Sequence, residues 1–198
     1  MEAVSRLKPL KKMNLIVAMD ADGGIGKNGT LPWRIRKDMQ YFAQVTKKTD
    51  DPSKKNAVLM GRKCWDSIPE ARRPLPGRLN IVLSRQLPVQ KTSELVVLNS
   101  WSDLLEMLAE PEFWEKIENV WNIGGREIYK MALDNDFVDE IHMTRIFQSF
   151  DADVHLRDLN FYVEQNEKIG KLVVEKCENS EIFEENGTKF EFCKWKCT

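Results

Sequence analysis

The sequence has few residues that bind metals or form disulfides: four of its 198 residues are cysteines and two are histidines. The cysteines show neither a CxxC pair nor a metal-ligand spacing, so we expect no metal centre. Cys193 and Cys197 lie four positions apart. In a strand their Cα atoms would be ~13 Å apart, and a disulfide needs less than ~7 Å. We therefore expect reduced thiols, as in cytoplasmic proteins.

An excess of one charge is also missing, since 30 basic and 31 acidic residues leave a net charge of −1. The chain thus lacks the basic field that holds nucleic acid. No apolar run approaches the ~20 residues of a membrane span. Residues 1–12 have no hydrophobic signal core, and Glu2 argues against the alternative of a transit peptide. We expect a cytoplasmic protein with an N-terminal extension without an assigned role (1–12) and one domain (13–198).

Short continuous apolar runs alternate with helical patterns, which indicates a largely parallel α/β sheet. The first helical pattern covers residues 35–46, with apolar side chains at Ile35, Met39, Phe42 and Val45, and Ser102 is a candidate cap of a later helix. Residues 140–147 and an Asn-Gly hairpin at 185–187 predict an antiparallel C-terminal edge. The predicted buried strands lie at 14–20, 56–60, 79–83, 94–98 and 119–123.

Two glycine patterns follow predicted strands. Residues 24–29 match GxGxxG, but Pro32 disfavours the helix that a dinucleotide-binding fingerprint must open, so we interpret this segment as a flexible loop. Gly124 and Gly125 lie between a strand and a helical pattern. They either let a phosphate approach the backbone or only make a tight turn.

Cationic residues also follow strands, namely Arg62 with Lys63 and, further on, Arg85 after Ser84. Open α/β sheets bind ligands beyond the carboxyl ends of their strands. Each arginine alone is commonly a solvated surface charge. Together they favour a phosphorylated ligand, and arginine suits a separate phosphate such as the 2′-phosphate of NADP.

Asp38 borders the apolar stripe of the first predicted helix, one turn before Phe42. It is either a first-turn acid that complements the helix dipole or a buried carboxylate that accepts two hydrogen bonds from an amidine-like heterocycle. In the second case burial raises its pKa and a cationic ligand lowers it again.

At this point the sequence resembles the dihydrofolate reductase family, and the resemblance extends from Met13 to about Trp195. It rests on motifs in the family's order and spacing: NLIVAMDADGGIGKNGTLPW, Asp38 with Tyr41-Phe42, MGRKCWDSIP, RPLPGRLNIVLSR, WNIGGREIY and Met143-Thr144-Arg145-Ile146. The resemblance implies a single α/β domain with a central eight-stranded, mostly parallel sheet and an antiparallel C-terminal edge, flanked by helices. It further implies a monomer that uses NADPH to reduce 7,8-dihydrofolate and binds antifolate inhibitors.

The resemblance also implies roles for particular residues. The catalytic set comprises Asp38, Thr144, which supports it, and Trp33 in the loop that closes over the site. Arg78 matches the arginine that pairs with the substrate's α-carboxylate. The other substrate-binding residues are Ile16, Val17, Ala18, Leu31, Met39, Phe42, Ser67, Ile68, Leu75, Ile123 and Tyr129. The cofactor-binding residues are Ala18, Ile25, Gly26, Gly61, Arg62, Lys63, Cys64, Leu83, Ser84, Arg85, Ile123, Gly124, Gly125, Arg126, Glu127 and Ile128. In the family the Gly-Gly peptide is cis.

Three positions depart from the family pattern: Cys64 stands where threonine or serine usually contacts cofactor phosphates, Met39 where Phe or Leu is frequent, and Arg72 where a polar residue is frequent. A thiol is a weaker donor than a hydroxyl. Two alternatives to dihydrofolate reduction remain, the pyrimidine reductase of riboflavin synthesis and a catalytically silent NADPH-binding module. The presence of Asp38 argues against both, with Arg78 against the first and Trp33 against the second.

Overall fold

The computed structural model describes residues 10–156, 174–177 and 181–197. Residues 1–9 of the expected extension therefore lie outside the described residues. Lys12, within that extension, forms an ion pair with Asp136 at 3.1 Å. Within the described ranges, the structure has no helix long and apolar enough to cross a membrane.

The central sheet is built on six parallel strands: β1 (Met13–Met19), β3 (Lys55–Gly61), β4 (Arg78–Leu83), β6 (Leu95–Leu98), β7 (Ile117–Asn122) and β8 (Val138–Ile146). Their spatial order is β8-β1-β7-β3-β4-β6. The continuous apolar runs of β3 and β4 are buried, as parallel strands covered on both faces require. The predicted α/β fold with a mostly parallel sheet is confirmed.

The antiparallel C-terminal edge is confirmed as well. Strand β12 (Thr188–Cys197) pairs with β8, and β11 (Ile182–Glu185) joins it through a two-residue turn. Asn186 and Gly187 in that turn both have positive φ, which is why this dipeptide suits the hairpin. Ten described strands share the sheet, against eight expected. The difference comes from short edge strands: β5 (Gln90–Lys91) and β10 (Val174–Cys177), which pairs beyond β11 on β12.

The helices flank the sheet: α1 (Arg36–Lys47), α2 (Arg62–Ser67), α3 (Trp101–Ala109), α4 (Pro111–Lys116) and α5 (Arg126–Asp134), with a short 3-10 helix at Glu70–Arg72. The cap of α3 is Ser100 rather than the expected Ser102. Ser100 Oγ accepts from the N–H of Asp103, whose carboxylate accepts from the N–H of Ser100. This reciprocal pair satisfies two backbone donors, which Ser102 inside the helix does not do.

Alternation along β1 divides its side chains between two apolar cores. Val17 packs in the larger core with Leu15 and Met19, whereas Ile16 packs in the smaller core with Val58 and Trp121. Phe42 of α1 lies against the smaller core, so α1 covers the Ile16 face of the sheet. This arrangement places α1 next to the strands that carry the expected site.

A small second sheet holds the glycine loop. Strand β2 (Gly24–Gly26) pairs with β9 (Val154–His155), which joins the loop to the segment after β8. The loop begins directly after β1, so it lies beyond the carboxyl ends of the parallel strands, as expected for a ligand-binding loop.

Candidate active site

The predicted acid is buried and hydrogen-bonded. Asp38, in the first turn of α1, is 6% exposed, and Thr144 on β8 is 2% exposed. Thr144 Oγ1 donates to Asp38 Oδ1 at 2.6 Å. Burial raises the pKa of Asp38, and the bond from Thr144 opposes that rise. The structure thus brings together two of the expected catalytic residues, and the dipole-only interpretation of Asp38 is insufficient.

A cavity of about 320 Å³ opens beside this acid. Four expected residues line it, namely Leu31, Trp33, Asp38 and Met39. Met39, expected on the apolar stripe of the helix and among the substrate-binding residues, is 50% exposed and borders the cavity. Trp33 is buried, and its indole N–H finds no acceptor among the described residues. The lining residues not expected from the sequence are Arg34, Ile35, Arg36, Glu185 and Asn186.

The residues expected to form the pocket walls lie on opposite faces of the sheet. Phe42, Ile68, Leu75 and Ile123 surround the smaller core on the side of Ile16, and partly buried Ala18 lies on the same face of β1. Val17 does not join them, because its side chain faces the opposite core; only its backbone remains available to a ligand on the α1 side.

The side chain of Tyr129 lies on the face of the sheet opposite the expected pocket. Its side chain is buried in the larger core, and its hydroxyl donates to the Ile16 carbonyl at 2.7 Å. Ser67 is exposed and donates to the Cys64 carbonyl at 2.6 Å. The hydroxyl of Tyr129 therefore engages one lone pair of the Ile16 carbonyl.

Arg78 is a buried cation. It is 5% exposed, its Nη1 donates to Thr46 Oγ1 at 2.7 Å, and its Nε donates to the Pro76 carbonyl at 3.3 Å. Burial lowers its pKa to about 10. Both partners are neutral oxygens, and no carboxylate of the described residues forms an ion pair with it. An anionic ligand group would supply the missing charge.

The glycine loop is organised by a residue that the sequence interpretation missed. Asp20 is 3% exposed; its Oδ1 accepts from the N–H of Asp22 and of Gly24, and its Oδ2 accepts from the N–H of Phe150. A Cβ at Gly24 would lie 2.4 Å from the Cβ of Ala152. An Asp carboxylate that accepts from the backbone N–H two residues further along forms an Asx-turn. An Asp at the start of a glycine-rich turn is typical of this motif, and the pattern could have identified Asp20.

The Gly124–Gly125 peptide is cis, as the resemblance implied. Gly124 has a φ of +97°, and a Cβ there would lie 2.6 Å from the Tyr129 ring. For Gly125, by contrast, no heavy atom of the described residues lies within 4 Å of such a Cβ apart from those of Gly125 itself and its two chain neighbours. The second glycine therefore presents an open face. The turn contacts β3, because the N–H of Gly61 donates to the Gly124 carbonyl at 2.7 Å.

Asn122 holds this turn and was also missed. It is completely buried; its Oδ1 accepts from the N–H of Gly124 at 3.0 Å, and its Nδ2 donates to the Ile128 carbonyl at 3.0 Å. Its side chain thus ties the end of β7 to the first turn of α5. A buried asparagine inside an apolar strand is the signal that could have pointed to it.

The expected phosphate-binding cations follow β3 and β4. Arg62 forms an ion pair with Asp66 at 2.6 Å and is partly exposed, while Lys63 and Arg85 are exposed. Ser84 Oγ accepts from the N–H groups of Gln86 and Leu87, which fixes the turn after β4. Leu83 and Ile128 are buried in the larger core, Ile25 packs against that core, Gly26 is partly buried, and Arg126 and Glu127 are exposed at the start of α5.

Cys64 faces the backbone of the pocket wall. Its Sγ lies 3.7 Å from the Ile123 carbonyl oxygen, and burial raises the pKa of the thiol to about 11. The thiol therefore stays protonated. Cys193 and Cys197 lie on the same strand, β12, and Cys197 is free, like Cys64.

Comparison with known proteins decides the family. The sequence profile described as dihydrofolate reductase matches residues 12–195. The chain belongs to the dihydrofolate reductase family. Among its relatives, a putative dihydrofolate reductase of Caenorhabditis elegans is 66% identical over 187 residues, which are 94% of this chain and 97% of that protein. The dihydrofolate reductase of Bos taurus is 38% identical over 184 residues, 92% and 96% of the two chains.

A solved structure of the family agrees with the fold. Schistosoma mansoni dihydrofolate reductase superposes with a TM-score of 0.76 at 36% identity, covering 95% of this chain and 99% of that one. The resemblance inferred from the motifs and the dihydrofolate reductase fold are thereby confirmed. The roles of individual site residues follow below as proposals.

Proposed function

We propose that this chain reduces 7,8-dihydrofolate to 5,6,7,8-tetrahydrofolate with NADPH. The observation that carries the proposal is the pair of Asp38 and Thr144, a buried carboxylate held at 2.6 Å inside a largely apolar cavity. Such a carboxylate accepts the two parallel hydrogen bonds that the 2-amino group and ring nitrogen of a pterin offer. Family membership supports the same reaction.

The remaining pocket residues have binding roles in this proposal. Leu31, Met39 and Phe42 pack against the pterin and the p-aminobenzoyl group, with Ser67, Ile68 and Leu75 further along. Ile16 and Ile123 offer backbone carbonyls to the ring, and Ala18 and the backbone of Val17 complete the wall. Arg78 pairs with the α-carboxylate of the glutamate tail, which a buried cation without an anionic partner suits.

The residues beyond the strands fit NADPH. The open face of Gly125 accommodates the pyrophosphate next to the start of α5, and the cations after β3 and β4 suit the 2′-phosphate. NADPH supplies the hydride when bound. Ile25 and Gly26 of the glycine loop lie near the nicotinamide in this arrangement, while Trp33 closes the site against bulk water.

Asp38 has an electrostatic rather than a direct role in protonation. Its carboxylate meets the 2-amino end of the pterin, which is remote from N5. It holds the ring and favours the protonated substrate through its negative charge. Solvent admitted by the loop that contains Trp33 then delivers the proton to N5, and product release through that loop limits turnover.

The direct test is oxidation of NADPH that depends on dihydrofolate, followed by absorbance. We expect turnover by the wild-type chain and inhibition by methotrexate. NADPH binding without turnover would instead indicate the silent NADPH-binding module. Turnover of a ribitylamino-pyrimidine with none of dihydrofolate would indicate the pyrimidine reductase.

A second expectation concerns the choice of cofactor. Replacing Arg62 and Arg85 with Ala should raise the Kd of NADPH and leave that of NADH nearly unchanged, since each charge-assisted contact contributes about 1.5–3 kcal/mol. Titration of both cofactors, followed by fluorescence, measures the effect. Lys116→Ala removes an exposed cation on α4 and serves as the control. Equal losses for both cofactors would place the 2′-phosphate elsewhere.

The two glycines of the cis peptide should respond differently to alanine. Gly125→Ala should fold with a Tm close to wild type, because its Cβ meets no described atom and its φ of −73° is ordinary for alanine. Its methyl group should nevertheless weaken NADPH about 5- to 100-fold by crowding the pyrophosphate. Gly124→Ala is the comparison: it should lower the Tm, because the Cβ overlaps Tyr129. Wild-type NADPH affinity in Gly125→Ala would move the pyrophosphate away from this turn.

We further propose a cytoplasmic monomer whose enzymatic domain covers residues 13–198. The free thiols of partly buried Cys64 and buried Cys197 support a reducing compartment. Light scattering of the purified chain tests the monomer, and cell fractionation tests the location. Deletion of residues 1–12 with retained turnover would support the domain boundary.

A further inference from the structure

Helix α1 begins without a cap of its own. The residue at its N-cap is Ile35, whose side chain has no oxygen to accept from the first free N–H groups. Those groups need an acceptor from elsewhere, and they lie directly before Asp38 in the chain. Whatever holds them also sets the position of the first turn that carries the acid.

The acceptor comes from the opposite end of the sequence. Glu185 Oε1 accepts from the N–H of Arg36 at 2.7 Å, and Glu185 Oε2 accepts from the N–H of Lys37 at 3.0 Å. These two bonds lower the pKa of Glu185, so its carboxylate is charged at neutral pH. A negative charge at a helix N-terminus is favourable.

The hairpin that carries Glu185 is itself fixed. Its turn, Asn186-Gly187, follows directly, and Lys37 Nζ lies 3.8 Å above the centre of the Phe183 ring. On the other side of the hairpin, β12 pairs with β8, where Phe192 is opposite Thr144. One hairpin therefore contacts both the helix turn that carries Asp38 and the strand that carries Thr144.

From this connection we propose that Glu185 is a positioning residue for Asp38. By holding the first turn of α1 against the C-terminal hairpin, it maintains the contact of Asp38 with Thr144 and keeps solvent from the carboxylate. Glu185 also lines the cavity, so its loss opens the cavity wall beside the acid. The inference rests on the proposed role of Asp38 in dihydrofolate reduction.

Glu185→Ala is the first test. It should slow hydride transfer at neutral pH by about 10- to 100-fold, the range expected for a misplaced group. Greater access of water should lower the pKa of Asp38, and a weaker bond from Thr144 should raise it. Burial is the larger of these two causes, so the pKa and the pH profile of hydride transfer should shift to lower pH. Besides Glu185, the charged groups that line this cavity are Arg34, Arg36 and Asp38, and these three remain in the variant. The Kd of NADPH should not change.

Two further variants make the result specific. Glu185→Gln keeps one acceptor oxygen and should give an intermediate rate and an intermediate profile. It also serves as the readout if Glu185→Ala does not fold. Glu184→Ala, an exposed neighbour on β11, should behave as wild type. A Glu185→Ala enzyme with a lower Tm but an unchanged rate or an unchanged pH profile would reduce Glu185 to a stabilising cap and overturn the proposal.

A readout without turnover separates this inference from the function itself. The carboxyl carbon of Asp38, assigned by its loss in Asp38→Asn, is titrated by NMR in the wild-type and variant chains without substrate. A pKa that is lower in Glu185→Ala than in Glu185→Gln, which removes the same charge but keeps an acceptor, supports the positioning role even if dihydrofolate is not reduced. An unchanged pKa contradicts it even if the wild-type chain is an active reductase.

Discussion

Arg78→Leu is expected to raise the Kd of dihydrofolate by about 30- to 1000-fold, which corresponds to about 2–4 kcal/mol lost with one partner of a buried charge pair. Arg78 is 5% exposed, and its guanidinium donates to two neutral oxygens, Thr46 Oγ1 and the Pro76 carbonyl. The substrate carboxylate would therefore be its charged partner. Methotrexate, which carries the same carboxylate, should weaken similarly. A 2,4-diaminopyrimidine without a carboxylate should bind as before.

The stability of the variant distinguishes binding from folding. Burial lowers the pKa of Arg78 to about 10, below that of an unfolded chain. Below pH 10 the guanidinium stays charged in both states, so the folded apo protein carries the full cost of burying it. Leucine removes that cost, and the Tm should hold or rise. Arg78→Lys keeps the charge without the planar fork and should give an intermediate Kd. Equal weakening of ligands with and without a carboxylate would make Arg78 structural.

The strands were predictable because burial on both faces leaves a simple pattern. The run Ala57–Met60 of β3 is continuous in apolar residues, and the run of β4 is broken only by the buried Asn80. The hairpin was predictable for a local reason too, since Asn186 and Gly187 both adopt positive φ. The sequence is less informative where two nearby residues suit the same role. Both Ser100 and Ser102 could cap α3, and Ser100 does so because it alone precedes the first turn.

Long-range contacts account for most of what was missed. The bonds of Glu185 join residues separated by 148 and 149 positions, and no local pattern encodes them. The exposure of Met39 likewise depends on the cavity rather than on the helical period. Asp20 and Asn122 are buried polar residues whose partners are backbone groups of neighbouring turns and elements, so their importance emerges only when those segments are placed. The resemblance to the family pointed to both Asp38 and Thr144, and the structure joins them by a hydrogen bond of 2.6 Å between α1 and β8.

The burial of Asp38 should lower the free energy of unfolding of the apo protein when this carboxylate is charged. Burial raises the pKa of Asp38 above its value in the unfolded chain. Between those two pKa values the native state binds more protons than the unfolded state, so the free energy of unfolding falls as pH rises. Above the folded pKa the full cost is present. Asp38→Asn should therefore have a higher Tm than wild type at neutral pH and lose that advantage in acid, as calorimetry across pH would measure.

The same substitution should lower hydride transfer at neutral pH by orders of magnitude. An amide has one acceptor oxygen and adds a donor, so it loses one of the two bonds to the pterin. It also removes the negative charge that favours the protonated substrate, and the transition state therefore loses more stabilisation than the ground state. NADPH binding should remain near normal. The rate should partly recover as pH falls, because substrate that is already protonated in solution needs less help from Asp38.

The measurement is the pre-steady-state rate of hydride transfer across a pH series, in wild type and in Asp38→Asn. Thr144→Val removes the hydrogen-bond donor to Asp38, and its rate should lie between the other two. A near-wild-type rate at neutral pH in Asp38→Asn would mean that Asp38 only completes a helix terminus and that the reacting ring lies elsewhere.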